Sequence, residues 1–101
     1  MTIPIPPMQS PLSFEWDSEK ARLNFRIHQV AFEEAQTAFD DPQARILDDP
    51  DHSVHEERYL TFGLSRLERV LVVSHSDREG RIRIISARLM TRKEVKIYEE
   101  G

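Results

Sequence analysis

Two runs of β-branched residues, Arg69–Asp77 (RVLVVSHSD) and Arg81–Leu89 (RIRIISARL), constrain this chain more than anything else in it. Their valines and isoleucines fit a pleated surface, and Gly80 between them supplies the positive φ of a tight turn, so together they predict an antiparallel hairpin. A loop of Arg78-Glu79-Gly80 sets Asp77 against Arg81, His75 opposite Arg83 and Val73 opposite Ile85 on one face. The other face then carries Val70, Val72, Ser74 and Ser76 with Ile82, Ile84, Ser86 and Arg88. Neither face is wholly polar, so these strands belong inside a sheet covered on both sides. Arginines on such strands, Arg83 and Arg88, require a purpose.

The remaining elements follow from shorter patterns. Phe14-Glu15-Trp16 reads as a short strand. Asp17 is a good N-cap for a helix over 18–29, with Trp16 stapled onto Ala21. Leu23, Ile27 and Val30 form its apolar stripe, and Lys20, Asn24 and His28 a separate polar one. A second helix over 31–39 buries Phe32, Ala35 and Phe39 and stops before Pro42. Strands are expected at 44–49 and 56–65, the second alternating Arg58, Leu60 and Phe62 with Glu57, Tyr59 and Thr61. Thr91 and Glu94 make a capping box for a final helix whose apolar contacts are Val95 and Tyr98. The order β-α-α-β-β-β-β-α gives an α+β fold: an antiparallel sheet, two N-terminal helices packed on one face and a short C-terminal helix.

At 101 residues the chain holds one core, placed here in residues 13–101, with the proline-rich stretch 1–12 an extended or disordered leader and not a signal peptide. The absence of cysteine excludes disulfides and thiolate metal sites and fits a reducing, cytoplasmic setting. No apolar run approaches the roughly 20 residues of a membrane span. The net charge of −4 opposes binding to nucleic acid until its distribution is read. Residues 1–55 hold four basic and ten acidic side chains, whereas 78–96 hold seven and two. A chain so divided can turn a basic face to phosphates while its acidic half points elsewhere.

The order and spacing of several short segments resemble the BrnT toxins, relatives of the RelE ribonucleases. In the first half these are Phe14-x-Trp16-Asp17, then Lys20, Asn24 and His28, then Phe32-Glu33-Glu34-Ala35 and Phe39-x-Asp41-Pro42. In the second they are Asp49-x-Asp51-His52-Ser53, Glu56-Glu57-Arg58, Gly63-x-Ser65, Ile82-Arg83-Ile84-Ile85-Ser86-Ala87-Arg88, Thr91-Arg92-x-Glu94 and Tyr98-Glu99. The similarity spans 14–100. The chain departs from the pattern at Ile27-His28-Gln29, where relatives often have Lys-His-Gly, at Ala31 and at Leu89-Met90. The resemblance implies a RelE-like fold and an endoribonuclease that inhibits translation. It also implies a ribbon-helix-helix antitoxin (BrnA-like) that neutralises the toxin, with a heterotetramer as the expected complex and DNA contacted only through the antitoxin.

Cleaving RNA without a metal or cofactor requires a group that takes the 2′-hydroxyl proton, one that protonates the leaving oxygen, and positive charge on the phosphorane. Arginine suits the charge because its planar fork can hold two phosphate oxygens. The catalytic candidates are therefore Arg88, His75, Glu57 and Arg58, with Arg83, Arg92, Lys93, Lys20 and His28 as RNA contacts. Strand neighbours face opposite ways, so only one of Glu57 and Arg58 is expected in the cleft. Arg88 has a structural alternative in a salt bridge to a carboxylate such as Glu57. A non-catalytic module that docks protein or RNA through the basic hairpin would use the same side chains. Asp49-x-Asp51-His52-x-x-His55-Glu56 offers a third chemistry, a divalent-metal site.

Overall fold

The hairpin forms, and a five-stranded sheet is built around it. The computed structural model describes residues 12–50 and 56–101. In chain order its elements are β1 (Phe14–Glu15), α1 (Ser18–His28), α2 (Phe32–Thr37), a 3-10 turn (Ala38–Asp40), β2 (Arg45–Asp48), β3 (Arg58–Leu64), β4 (Val70–Arg78), β5 (Arg81–Leu89) and α3 (Arg92–Glu100). The strands lie in the order β1-β5-β4-β3-β2. All neighbours are antiparallel except β1, which pairs parallel with β5 at Phe14↔Ile82 and Glu15↔Arg83.

The hairpin register differs from the expected one. Arg78 pairs with Arg81, so the loop has two residues, Glu79 and Gly80, both at positive φ (53° and 81°). Such a two-residue turn matches the twist of the strands. Ser76 consequently faces Arg83, and His75 faces Ile84. A bulge between Ser74 and His75 then absorbs Ile85, so Ser74 pairs with Ser86 and Val73 with Ala87.

Each face of the sheet carries its own core. On one, Leu71, Val73, Ile84 and Ala87 pack beneath Val30, Phe32, Ala35 and Ala38 of the α1–α2 layer, joined by Phe14, Trp16, Ala21 and Phe39. Gly63 lies at this face because a Cβ there would stand 2.6 Å from the Ala38 carbonyl oxygen. On the other, Phe62, Val72 and Met90 pack with Leu47, Leu60, Val70, and Val95 and Tyr98 of α3. The Tyr98 hydroxyl donates to Asp41, which also accepts from the Leu64 N–H at 2.8 Å, and Arg45 donates to the Ile97 carbonyl at 2.9 Å. These bonds tie α3 to the sheet.

Of the apolar stripe expected on α1, Val30 is buried just past the helix end and the other two members are not. Leu23 and Ile27 are exposed, while Asn24 is buried. Asn24 Nδ2 donates to the carbonyls of Val30 and Ala87 at 3.0 and 2.9 Å, and its Oδ1 accepts from the Ala87 N–H at 3.1 Å. The side chain thereby completes the hydrogen bonding of β5 where β1 has ended. The second helix is also shorter than expected, because it tightens to 3-10 geometry at Ala38.

Candidate nucleic-acid interface

Along a strand, side chains alternate between faces, so the register decides which of them share a surface. On the α3 side of the sheet, three cross-strand rows follow one another. Arg58, Ser76 and Arg83 form the row nearest the turn, Leu60, Ser74 and Ser86 the next, and Phe62, Val72 and Arg88 the third. Arg83 and Arg88 are five positions apart and would ordinarily point to opposite faces. The bulge at Ile85 puts both on the same one.

Each of these arginines meets its own carboxylate, from α3, from β1 or from the segment just before β3. Arg88 forms a two-pronged pair with Glu94 of α3, at 2.7 and 2.9 Å. Arg83 and Arg81 both reach Glu15 of β1, at 3.2 and 3.0 Å. Arg58 and Arg78 flank Glu56 more loosely, at 3.9 and 3.6 Å. The pairing has electrostatic consequences. The Arg88 hydrogen bonds, opposed by burial, hold the Glu94 carboxyl down at about 2, and the bond from Arg81 holds Glu15 below the usual carboxylate range. Ser74 Oγ lies 3.4 Å from Asp49 Oδ2, and a cleft of about 310 Å3 opens beside it, lined by Asp48, Asp49, Pro50, Glu57 and Arg58. The acidic half of the chain thus does not keep apart from the basic face, because Glu15 sits within it.

His75 does not join this surface. It lies on the α1–α2 side, 5 % exposed, with Nε2 2.8 Å from Thr61 Oγ1 and its ring 4.9 Å from that of Phe39. Burial, only partly opposed by Asp77, lowers its pKa to about 4, so it is neutral near pH 7. The expected grouping of His75 with Arg83 fails because the two-residue turn moves the register by one position. Glu57 is likewise outside the arginine rows. It shares the parity of Tyr59, whose hydroxyl donates to it at 3.0 Å, and Arg58 is the member of the pair on the arginine face.

Lys20 is exposed on α1 and His28 half-buried at its end, while Arg92 and Lys93 are exposed in the turn of α3 that supplies Glu94. His52 and His55 lie outside the described residues, and among those described no cluster of His, Asp and Glu is arranged to hold a metal ion. Ser76, Glu15 and Glu94 are not among the site residues expected from the sequence, and Glu56 enters there only with the metal alternative. The Thr91–Glu94 capping box gave a local signal for Glu94, but nothing local pairs β1 with β5 and so brings Glu15 to Arg83.

Fold and surface together define a small α+β protein with arginines gathered on one sheet face. No curated protein sequence matches the chain. Over residues 16–94 it matches the family described as the ribonuclease toxin BrnT of type II toxin–antitoxin systems, and it belongs to that family. The fold is that of the crystal structure of the ribonuclease toxin BrnT from Brucella abortus, with a TM-score of 0.61 at 16% identity over 81% of this chain and 100% of that one. Toxins of type II systems have a protein antitoxin as partner. Among the described residues no helix is long and apolar enough to cross a membrane.

Proposed function

We propose that this chain is a RelE-like endoribonuclease that cuts RNA on the arginine face without a metal ion. The observation that carries the reading is the gathering of Arg58, Arg83 and Arg88 on one face of three adjacent strands. In the reaction the 2′-oxygen bonds to phosphorus, the 5′-oxygen leaves, and a cyclic phosphate remains. Arg58 and Arg83 hold the phosphoryl oxygens as negative charge grows on them. Glu56, the most loosely paired carboxylate of the face, takes the 2′-hydroxyl proton and returns it to the leaving oxygen. Arg88 and Glu94 form the far rim, with Arg92 and Lys93 beside them as contacts to the flanking strand. His75 stays outside this scheme as a packing residue. In the cell the substrate is mRNA, cut in the cytoplasm so that translation stops. The antitoxin is a ribbon-helix-helix protein that covers the arginine face within a heterotetramer and contacts DNA on behalf of both.

The test is RNA cleavage by the purified full-length protein in excess EDTA. Cleavage should persist in the chelator, and Arg83→Ala should lower it about a hundredfold, the usual effect of removing one charge-stabilising donor. Activity abolished by EDTA would favour metal chemistry involving His52 and His55. RNA binding with no cleavage would leave only a docking module.

A further inference from the structure

In the row nearest the turn, two buried donors have no hydrogen-bond acceptor among the described residues: Ser76 Oγ and Arg58 Nε. They belong to residues directly opposite each other on β4 and β3. Ser76 is 0 % exposed, and its other row neighbour is Arg83. Arg58 Nε has only Glu56 Oε1 at 3.9 Å, beyond hydrogen-bonding range. Leaving a buried polar group unsatisfied is costly, and native proteins rarely tolerate it without a use. A structural role offers none here, since alanine at 76 would fill nearly the same space with no orphaned hydroxyl. What is common to the two donors is their setting, on a face rich in arginine.

We infer that Ser76 Oγ and Arg58 Nε are the inner donors of a phosphate-oxygen subsite, with Arg83 closing its other side; the inference rests on the reading of this face as an RNA-cleaving surface. The subsite is separate from Arg88. Ser76 and Val72, the row partner of Arg88, are four positions apart on β4, about 13 Å at the rise of a strand. With Arg88 turned to Glu94 of α3 and Arg83 to Glu15 of β1, the two rows take different phosphates of one strand. The guanidinium of Arg88 is already engaged at both prongs by Glu94, whereas Glu56 and Glu15 hold Arg58 and Arg83 by longer contacts. An incoming phosphate therefore displaces those two carboxylates more readily than it displaces Glu94. As the side chains of Arg58 and Arg83 part, an oxygen reaches the hydroxyl between them.

The experiment pairs two measurements on the full-length protein, affinity for an oligoribonucleotide blocked at every 2′-oxygen by methylation and the thermal midpoint. Ser76→Ala should weaken RNA binding about tenfold, the scale of one hydrogen bond to a charged group, and should raise the midpoint, because an unsatisfied buried hydroxyl has been removed. Arg58→Lys, which keeps the charge and loses Nε–H, should weaken binding to a similar degree. Unchanged affinity in Ser76→Ala overturns the subsite. So does a lowered midpoint, which would show the hydroxyl to be structural. If wild type cleaves RNA and Ser76→Ala binds it equally well, the subsite alone has failed. If wild type neither binds nor cleaves RNA, the proposed function has failed first.

Discussion

His75 shows how much one residue's role depends on which way its strand turns. In sequence it stands between two serines on the strand next to the arginines, as a proton shuttle might. Folded, it is buried against Thr61, Phe39 and Tyr59, with its pKa lowered to about 4 from an ordinary 6.5. The sign of the pH effect follows. Between those two values the unfolded chain binds a proton that the folded one refuses, so stability is complete above about pH 6.5 and declines as pH falls toward 4. From pH 7 to pH 5 the loss from this group is about 2 kcal/mol. Urea unfolding of wild type and His75→Gln at both pH values measures it. The variant should lose markedly less stability on acidification, and parallel losses would show that His75 is not held neutral. Glu94 acts lower on the scale. Its depressed pKa of about 2 contributes stability above the ordinary carboxylate range, which is lost as pH falls toward that value.

Among the elements, α1 bears least resemblance to an ordinary amphipathic helix. Beside Ala21, its inward contact is polar, the three hydrogen bonds through which Asn24 ties Val30 and Ala87 together, while Leu23 and Ile27 face outward. Asn24→Ala would strand the buried N–H and C=O of Ala87, at a cost of roughly 3 kcal/mol. A loss below about 1 kcal/mol in denaturant unfolding would mean that water or backbone movement replaces those bonds. Arg88 directly follows Ala87, so the same contact fixes the strand that carries the far rim of the site. The capping box of α3 has a similar double use. Glu94 receives the Thr91 N–H at 2.8 Å and binds Arg88 with the same carboxylate.

For the whole molecule, the question is how a chain of net charge −4 handles a polyanion. On the proposed function the answer is local: arginines from β3, β4 and β5 share one face, and phosphate takes the place of their carboxylate partners. RNA binding should therefore depend on salt as a contact of few charges does. If Arg58, Arg83 and Arg88 all engage a single strand, the logarithm of affinity should fall against that of salt with a slope of about −2. Arg83→Ala should reduce the steepness by about 0.7. A slope near zero would place RNA somewhere other than this face. Titrations at several salt concentrations decide it, using the methylated oligonucleotide so that cleavage does not intervene.

Local sequence is enough for the elements: the β-branched hairpin, the Asp17 and Thr91 caps, the stop before Pro42, and the α+β class with helices added at either end. These rest on interactions within a few residues of one another. It also marked the arginines, which stand out on apolar strands. Tertiary structure decided which of them share a surface. A two-residue turn in place of three, followed by a bulge at Ile85, brought Arg83 and Arg88 to the same face and sent His75 to the other. Periodicity cannot anticipate this, because a shift of one residue exchanges the faces of a strand and leaves its composition unchanged. The parallel pairing of β1 with β5, which supplies Glu15, and the burial of Asn24 in place of Leu23 join residues more than sixty positions apart. Such contacts depend on how the layers stack, and nothing near either residue in the chain encodes them.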